Sequence, residues 1–124
     1  MQVICKTNQN GTRQWQVALG QSYLVVEVVA SGAAGSPPNE LSFRVSTDEN
    51  EVPGLYPVTC FDVSDPAVPP GWVFTQQSDD GAFVLGPRSF AAPGFWERFF
   101  DGEPAALAAF AAEISAMEMP DILG

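Results

Sequence analysis

The sequence predicts an α+β fold in which a small, curved antiparallel sheet is followed by two C-terminal helices. Short β-type segments lie before about residue 90, turn-forming residues separate them, and the spacing of apolar residues becomes helical at Pro93. We expect the sheet to form an SH3-like or partly open barrel. The length of 124 residues and the apolar fraction of 46% suit one domain with its own core. Residues 1–124 are therefore treated as a single domain, β-rich over 1–90 and helical over 93–119.

The first third of the chain contains three predicted strands. A short strand over residues 2–6 is followed by Asn10-Gly11, a strong hairpin signal because both residues tolerate positive φ. Residues 14–19 are the expected return strand. Residues 23–30 are rich in β-branched side chains and largely apolar on both faces. This strand is therefore predicted to be central in the sheet and covered on both sides.

The middle of the chain continues the β pattern after a flexible loop over residues 31–39. Apolar and polar residues alternate over 41–46, which is typical of a half-buried strand. Residues 55–63 are the next strand candidate, and Pro57 within them favours an edge or bulged strand. The segments 72–76 and 82–85 form a predicted hairpin around Asp79-Asp80-Gly81.

Two helices are predicted at the C-terminal end. Pro93 suits the first turn of a short helix over 94–100, which carries an aromatic face. A longer helix runs from Pro104 to about Glu118 and is stopped by Pro120. Its expected apolar stripe is Leu107, Phe110, Ile114 and Met117.

A group of seven aromatic residues between positions 72 and 100 has two interpretations. They are Trp72, Phe74, Phe90, Phe95, Trp96, Phe99 and Phe100. Packing between helix and sheet is the favoured one. Stacking on nucleic acid would need a basic groove, and the whole chain has only five Lys and Arg residues. An exposed tryptophan among acidic residues could instead serve as an interface anchor.

The charge balance of the chain is strongly acidic. Fifteen Asp and Glu residues oppose five Lys and Arg residues, which gives a formal net charge of -10. Such a surface repels nucleic acid phosphates and anionic lipid headgroups. It attracts a basic partner and speeds the encounter with it. Acidity that only maintains solubility is an alternative that the charge alone leaves open.

The composition disfavours catalysis and metal binding. The chain has no histidine, which removes Ser-His-Asp and Cys-His catalysis and histidine-ligated metals. Two lone cysteines cannot build a structural zinc site, and the acidic loops lack EF-hand spacing. The carboxylate pairs Asp62 with Asp65 and Glu97 with Asp101 are best explained as solvated or partner-facing edges. We expect no enzyme activity, cofactor or metal, and a small carboxylate-based hydrolase is the least favoured function.

The expected location is the cytoplasm. The start of the chain lacks the apolar run of a signal peptide, and no segment has the apolar length that spans a bilayer. Cys5 and Cys60 are then predicted to be reduced, unpaired thiols that act as small buried apolar residues.

Three segments carry a resemblance to a known class of proteins. They are residues 86–104 (GPRSFAAPGFWERFFDGEP), 19–26 (LGQSYLVV) and 53–57 (PGLYP). Together they resemble small bacterial immunity proteins of polymorphic or contact-dependent toxin systems. The resemblance implies that the chain has no catalytic residues and acts by covering a toxin's site. The loop over residues 31–39 departs from that pattern and could alter the contact surface, and the toxin's activity is not implied.

The charge pattern suggests where a partner would bind. A toxin that acts on nucleic acid has a cationic cleft, which an acidic inhibitor can occupy as a phosphate mimic. Loops carry recognition more often than the scaffold does, so the densest acidic loops are the candidates. The predicted contact comprises Asp48, Glu49, Glu51, Asp79 and Asp80, with Glu97 and Asp101 as an extension. The alternative function is a structural or adaptor module, such as a phage or secretion accessory protein, that binds a segment along a sheet edge.

Overall fold

The predicted α+β class is confirmed by a computed structural model, which describes residues 1–10, 13–14, 17–35, 38–46 and 53–118. A seven-stranded antiparallel sheet that does not close is followed by two helices. The elements are β1 (Gln2–Cys5), β2 (Gln9–Asn10), β3 (Arg13–Gln14), β4 (Ser22–Ala30), β5 (Leu41–Ser46), β6 (Gly54–Pro57), a 3-10 helix (Val58–Cys60), β7 (Phe61–Asp65), β8 (Trp72–Gln76), β9 (Phe83–Pro87), α1 (Phe95–Phe100) and α2 (Pro104–Glu118).

Strand β4 is the centre of the sheet, as its apolar sequence predicts. One edge pairs with β5, and the other is shared by β1 at its start and β9 at its end. The strand order is β6-β5-β4-β1-β7, and β8 joins through β9. Within the described residues, β6, β7 and β8 each have a single partner in this sheet, so each presents a free edge. Strands β2 and β3 form a separate antiparallel pair in which Asn10 is paired with Arg13; Gly11 of the predicted hairpin signal lies outside the described residues.

A β-bulge in β4 determines which of the two cores each residue of this strand joins. The register with β5 shifts between Val25 and Glu27, which makes Val26 the extra residue. Val25 and Val28, three apart in sequence, therefore belong to the same core cluster. Val26 belongs to a second cluster, beneath the helices. The bulge thus turns Glu27 towards Arg44 of β5 instead of leaving it in the first core.

The core has two parts, one on each face of the sheet. The first is enclosed by the sheet and includes Val3, Cys5, Val17, Tyr23, Val25, Val28, Phe43, Val45, Tyr56, Cys60 and Phe61. The second lies between the sheet and the helices and includes Val26, Phe90, Phe95, Phe99 and Ala106, with Leu24, Trp96, Ala109, Phe110, Ile114 and Met117 packed around it. Core packing is thus confirmed for most of the predicted aromatic group, but Phe74 and Phe100 are exposed.

Two strand predictions are wrong in their extent. Among the described residues of the expected return strand over 14–19, only Gln14 lies in a strand, β3. Val17 and Ala18 have no regular secondary structure, and residues 19–20 form a turn in which Gly20 has a φ of 79°. The turn is held by backbone bonds from Gly20 N to Cys5 O and from Gln21 N to Ala18 O. The expected strand over 55–63 is two strands, β6 and β7, separated by a 3-10 helix. Pro57 ends β6 because it has no N–H to continue the ladder.

The helices begin and end close to the predicted residues, but the buried stripe of α2 is rotated. Leu107 is 42% exposed, whereas Ala106 is 5% exposed and belongs to the second core cluster. Phe110 stacks on Phe90 with ring centroids 5.7 Å apart. A small residue one turn before Phe110 lets α2 approach the ring cluster closely. Phe110, Ile114 and Met117 pack against that cluster as predicted.

The two cysteines lie in the first core cluster. Cys5 and Cys60 are each 2% exposed and are free thiols. Burial raises the pKa of both thiols, which keeps them protonated and unreactive at neutral pH. Among the described residues, no helix has the length and apolar character to cross a membrane.

Candidate functional site

The structure places the predicted acidic residues in different surroundings. Asp48, Glu49 and Glu51 lie outside the described residues. Asp79 and Asp80 occupy the β8–β9 turn, Glu97 lies in the first turn of α1, and Asp101 caps the end of α1. Asp79, Glu97 and Asp101 are exposed. The four described residues therefore lie on two separate elements, the β8–β9 turn and α1 with its C-cap.

Asp80 differs from its neighbour because its side chain is already engaged. Its carboxylate accepts hydrogen bonds from the Ser78 hydroxyl and from Ala34 N at 2.9 Å. Its carbonyl oxygen accepts one from Ala33 N at 3.0 Å. The two hydrogen bonds to the carboxylate lower the pKa of Asp80, and the bond from the Ser78 hydroxyl has the larger effect. Gly32 packs so closely on this carboxylate that a side chain there would collide with it. Asp80 thus holds the β4–β5 loop against the hairpin turn.

Substitution Asp80→Asn is expected to loosen this loop. The amide is neutral and offers one acceptor oxygen where the carboxylate offers two charged ones. The hydrogen bond from the Ala34 N–H is therefore weakened or lost, and this N–H should exchange faster with solvent. In the wild type, the lowered pKa keeps the anchor intact above the ordinary Asp value of about 3.9. The anchor is lost as the pH falls through the lowered pKa. Hydrogen exchange of Ala34 measures both effects. The control Asp79→Asn should leave that rate unchanged, and equal rates in the two variants would contradict the assignment.

The β8–β9 hairpin presents an exposed aromatic pair. Phe74 is 64% exposed and stacks on Phe83 with centroids 4.8 Å apart and an interplanar angle of 28°. Phe74 belongs to β8, whose outer edge is free within the described sheet, and the strand leads into the turn that carries Asp79. We call Phe74, Phe83 and Asp79 the hairpin surface. It combines an apolar ring, a free strand edge and a negative charge.

A cavity of about 290 Å³ lies between the sheet and the start of α1. We call it the Arg44 cavity. Its lining comes from β4, β5, the β8–β9 hairpin and the segment that leads into α1. The lining residues are Glu27, Val29, Arg44, Gln77, Val84, Phe90, Ala91, Ala92, Pro93, Gly94, Phe95, Trp96 and Glu97.

The floor of the Arg44 cavity holds a buried ion pair. Glu27 Oε1 accepts a hydrogen bond from Arg44 Nε at 3.0 Å, and the two side chains are only 2% and 14% exposed. The Arg44 guanidinium carbon lies 4.2 Å from the centroid of the Trp96 ring, a cation–π contact. Gly86 of β9 makes room for the carboxylate, since a Cβ there would lie 3.2 Å from Glu27 Cγ.

Burial dominates the electrostatics of Glu27. Desolvation raises its pKa, and the charge and hydrogen bond of Arg44 offset this only in part. The buried Nε1 of Trp96 has no hydrogen-bond partner among the described residues. Glu27 therefore depends on Arg44 to remain charged, and in return it fixes the position of the guanidinium.

The remaining polar groups of the cavity are available to a ligand. Arginine carries five N–H donors, and Arg44 uses one of them on Glu27. No described residue accepts a hydrogen bond from its two terminal amino groups. Glu97, which also lines the cavity, is exposed and has no ion pair within the described part of the chain. The cavity thus offers hydrogen-bond donors at its floor and a carboxylate in its lining.

Glu27 and Arg44 are not among the site residues predicted from the sequence, although the sequence contains a signal for both. Glu27 is the single charged residue in the apolar segment 23–30, and Arg44 is the single charged residue in the alternating segment 41–46. A charge in a buried strand needs a partner of opposite sign, because an unpaired charge is costly to bury. Two such residues in strands that could pair predict an ion pair.

The other carboxylate pairs lie on the surface. Asp62 forms an exposed ion pair with Lys6 at 3.3 Å, and Asp65 accepts a hydrogen bond from Ala67 N. Glu97 and Asp101 lie one turn apart on α1. Among the described residues, no group of three or more His, Cys, Asp or Glu side chains could hold a metal ion.

Comparisons with known proteins leave the family of this chain open. No protein-family model, curated protein or solved structure matches it. The resemblance to immunity proteins is therefore still a prediction from the sequence.

Proposed function

We propose that the protein binds a basic protein partner through the hairpin surface, and that this partner is a bacterial toxin which it neutralises as an immunity protein. The observation that carries the proposal is the exposed Phe74 ring, stacked on Phe83 and followed by the acidic turn. Interfaces bind most strongly where an aromatic anchor is surrounded by a polar rim. The hairpin surface has both parts within one element.

The stacked pair suits an anchor because its geometry is fixed before binding. Phe83 already restricts the Phe74 ring, so less conformational entropy is lost when a partner covers it. The free edge of β8 also allows a partner strand to pair with it through main-chain hydrogen bonds. Both features favour a protein partner over a small ligand at this surface.

The distribution of charge supports a basic partner. Two of the five cationic residues, Lys6 and Arg44, are paired with carboxylates. The formal net charge of -10 attracts a cationic surface over several ångströms and speeds association. Asp79 is the better contact candidate in the turn, because the Asp80 carboxylate already accepts intramolecular bonds.

The proposal is tested with the purified product of the adjacent gene, which the immunity role predicts to carry a toxin domain. Phe74→Ala should weaken binding by about 2 kcal/mol or more, mainly through faster dissociation. Asp79→Asn should slow association and reduce its salt dependence, because rim charges act on the on-rate. Stopped-flow or surface-based kinetics at several ionic strengths separate the two effects.

Matched controls lie on another free edge of the sheet. Val63 and Asp65 belong to β7, where Val63 is 48% exposed. Val63→Ala and Asp65→Asn should leave both rate constants unchanged. If they reduce binding as much as the hairpin variants do, the hairpin surface is not the interface. If a partner binds through Phe74 but has no toxic activity, an adaptor role, which the free edge of β8 also suits, replaces the immunity role.

A further inference from the structure

The chemistry of the Arg44 cavity suits a small ligand of its own, independent of a protein partner at the hairpin surface. We propose that this cavity binds a free α-amino acid with an apolar side chain, with the ligand carboxylate on Arg44 and the ligand ammonium at Glu97. The two charged residues line the same cavity. A zwitterion carries both a carboxylate and an ammonium group, so it can pair with both residues.

The terminal N–H donors of Arg44 require acceptor oxygens on the ligand. Its Nε donates a hydrogen bond to Glu27 and its guanidinium carbon lies over the Trp96 ring, so the guanidinium is held in place. The two terminal amino groups form a fork that matches the two oxygens of a carboxylate. Because the arginine is fixed by its neighbours, little side-chain entropy is lost when such a ligand binds.

The charges around the cavity argue against a simple anion. Glu27 neutralises Arg44, Glu97 adds a negative charge, and the whole chain carries a formal net charge of -10. A carboxylate without a compensating cation would enter an unfavourable potential. An ammonium group on the same ligand removes that penalty by pairing with the exposed Glu97.

The volume and the apolar lining of the cavity determine which side chain the amino-acid ligand can carry. Its volume of about 290 Å³ is small for a ligand site, so one amino acid fits better than a peptide. Val29, Val84 and Phe90 contribute apolar surface next to the charged groups. An aliphatic side chain such as that of leucine would bury its methyl groups there.

A matched set of ligands separates the two charges of the zwitterion. Leucine has both, leucinamide lacks the carboxylate, and 4-methylpentanoate lacks the ammonium. Calorimetry and the indole N–H resonance of Trp96 report binding to the intact protein. Leucine should bind at least about tenfold more tightly than either analogue, because each analogue loses a charge-assisted hydrogen bond. Failure of leucine to bind overturns the proposal. Equal affinity of 4-methylpentanoate overturns the role of Glu97, and equal affinity of leucinamide overturns the role of Arg44.

Variants assign each charge to its residue. Glu97→Gln should lower the affinity for leucine about tenfold while leaving that for 4-methylpentanoate no weaker. Arg44→Lys keeps the charge but removes the fork, and should weaken both ligands. The control Glu103→Gln changes an exposed carboxylate that does not line the cavity and should change neither affinity. If Arg44→Lys fails to fold, Glu97→Gln with the three ligands still decides the proposal, since Glu97 is on the surface.

Discussion

Replacing Arg44 with methionine is expected to destabilise the protein by about 3–5 kcal/mol at pH 7, because it leaves the buried Glu27 carboxylate without its cation. Glu27 is 1% exposed, so water cannot take over the role of the guanidinium. Methionine preserves much of the length and apolar contact of the arginine stem, which isolates the loss of charge. Urea unfolding of the two proteins measures the difference in the free energy of unfolding.

The pH dependence of this variant identifies the cause. Burial already raises the pKa of Glu27, and loss of Arg44 raises it further, since the guanidinium lowers it in the wild type. The folded state then binds the proton more tightly than the unfolded state, so stability falls as the pH rises above the ordinary Glu value of about 4.3. The destabilisation should therefore be small near pH 4 and should increase towards pH 7.

A double variant completes the test of the ion pair. Glu27→Gln in the Arg44→Met background removes the unpaired charge, and should recover much of the lost stability and abolish its pH dependence. If Arg44→Met were equally destabilising at pH 4 and pH 7, lost packing rather than the buried charge would be the cause.

The second large effect is expected from Phe90→Ala, which should destabilise the protein by about 3–5 kcal/mol. Phe90 is 2% exposed, and its ring lies 5.0 Å from Phe95, 5.2 Å from Trp96 and 5.7 Å from Phe110 between centroids. Its removal opens a cavity at the point where the segment before α1, both helices and the sheet meet. The same unfolding measurement applies, and near-UV circular dichroism reports the loss of fixed ring packing.

Phe100 provides the control for this prediction. It is 54% exposed and contacts Trp96 and Phe99 from the solvent side of α1. Phe100→Ala should therefore cost about 1 kcal/mol or less. Similar losses in the two variants would mean that the ring cluster does not provide a core of its own.

The elements that the sequence predicts well are those set by local patterns. The alternation over 41–46, the turn at Asp79-Asp80-Gly81 and the helix from Pro104 each depend on neighbouring residues alone. The bulge in β4 could not be predicted in this way, because it exists only relative to the register with β5. The split of residues 55–63 likewise depends on pairing, since β6 joins β5 and β7 joins β1.

The same distinction applies to the candidate sites. Acidic residues in turns, such as Asp79, can be selected from sequence because exposure follows from the turn. The Arg44 cavity combines residues from β4, β5 and α1, and their proximity depends on how the helices cover the sheet. The exposure of Phe74 could not be predicted from the sequence pattern either, because an aromatic residue in a strand is usually buried.

The pairing of β1 with β7 and of β4 with β9 has a consequence for how the chain folds. Contacts among β4, β5 and β6, within the β8–β9 hairpin and between the helices join residues that are near in sequence. By contrast, Gln2 of β1 pairs with Asp65 of β7 and Val28 of β4 pairs with Leu85 of β9, so each of these two pairings must close a long loop. Closing such long loops costs conformational entropy before the native contacts form. Contacts between residues so far apart in the sequence also raise the contact order, which slows folding. We therefore expect the local units to form first, and the docking of β7 on β1 and of β9 on β4 to limit the folding rate.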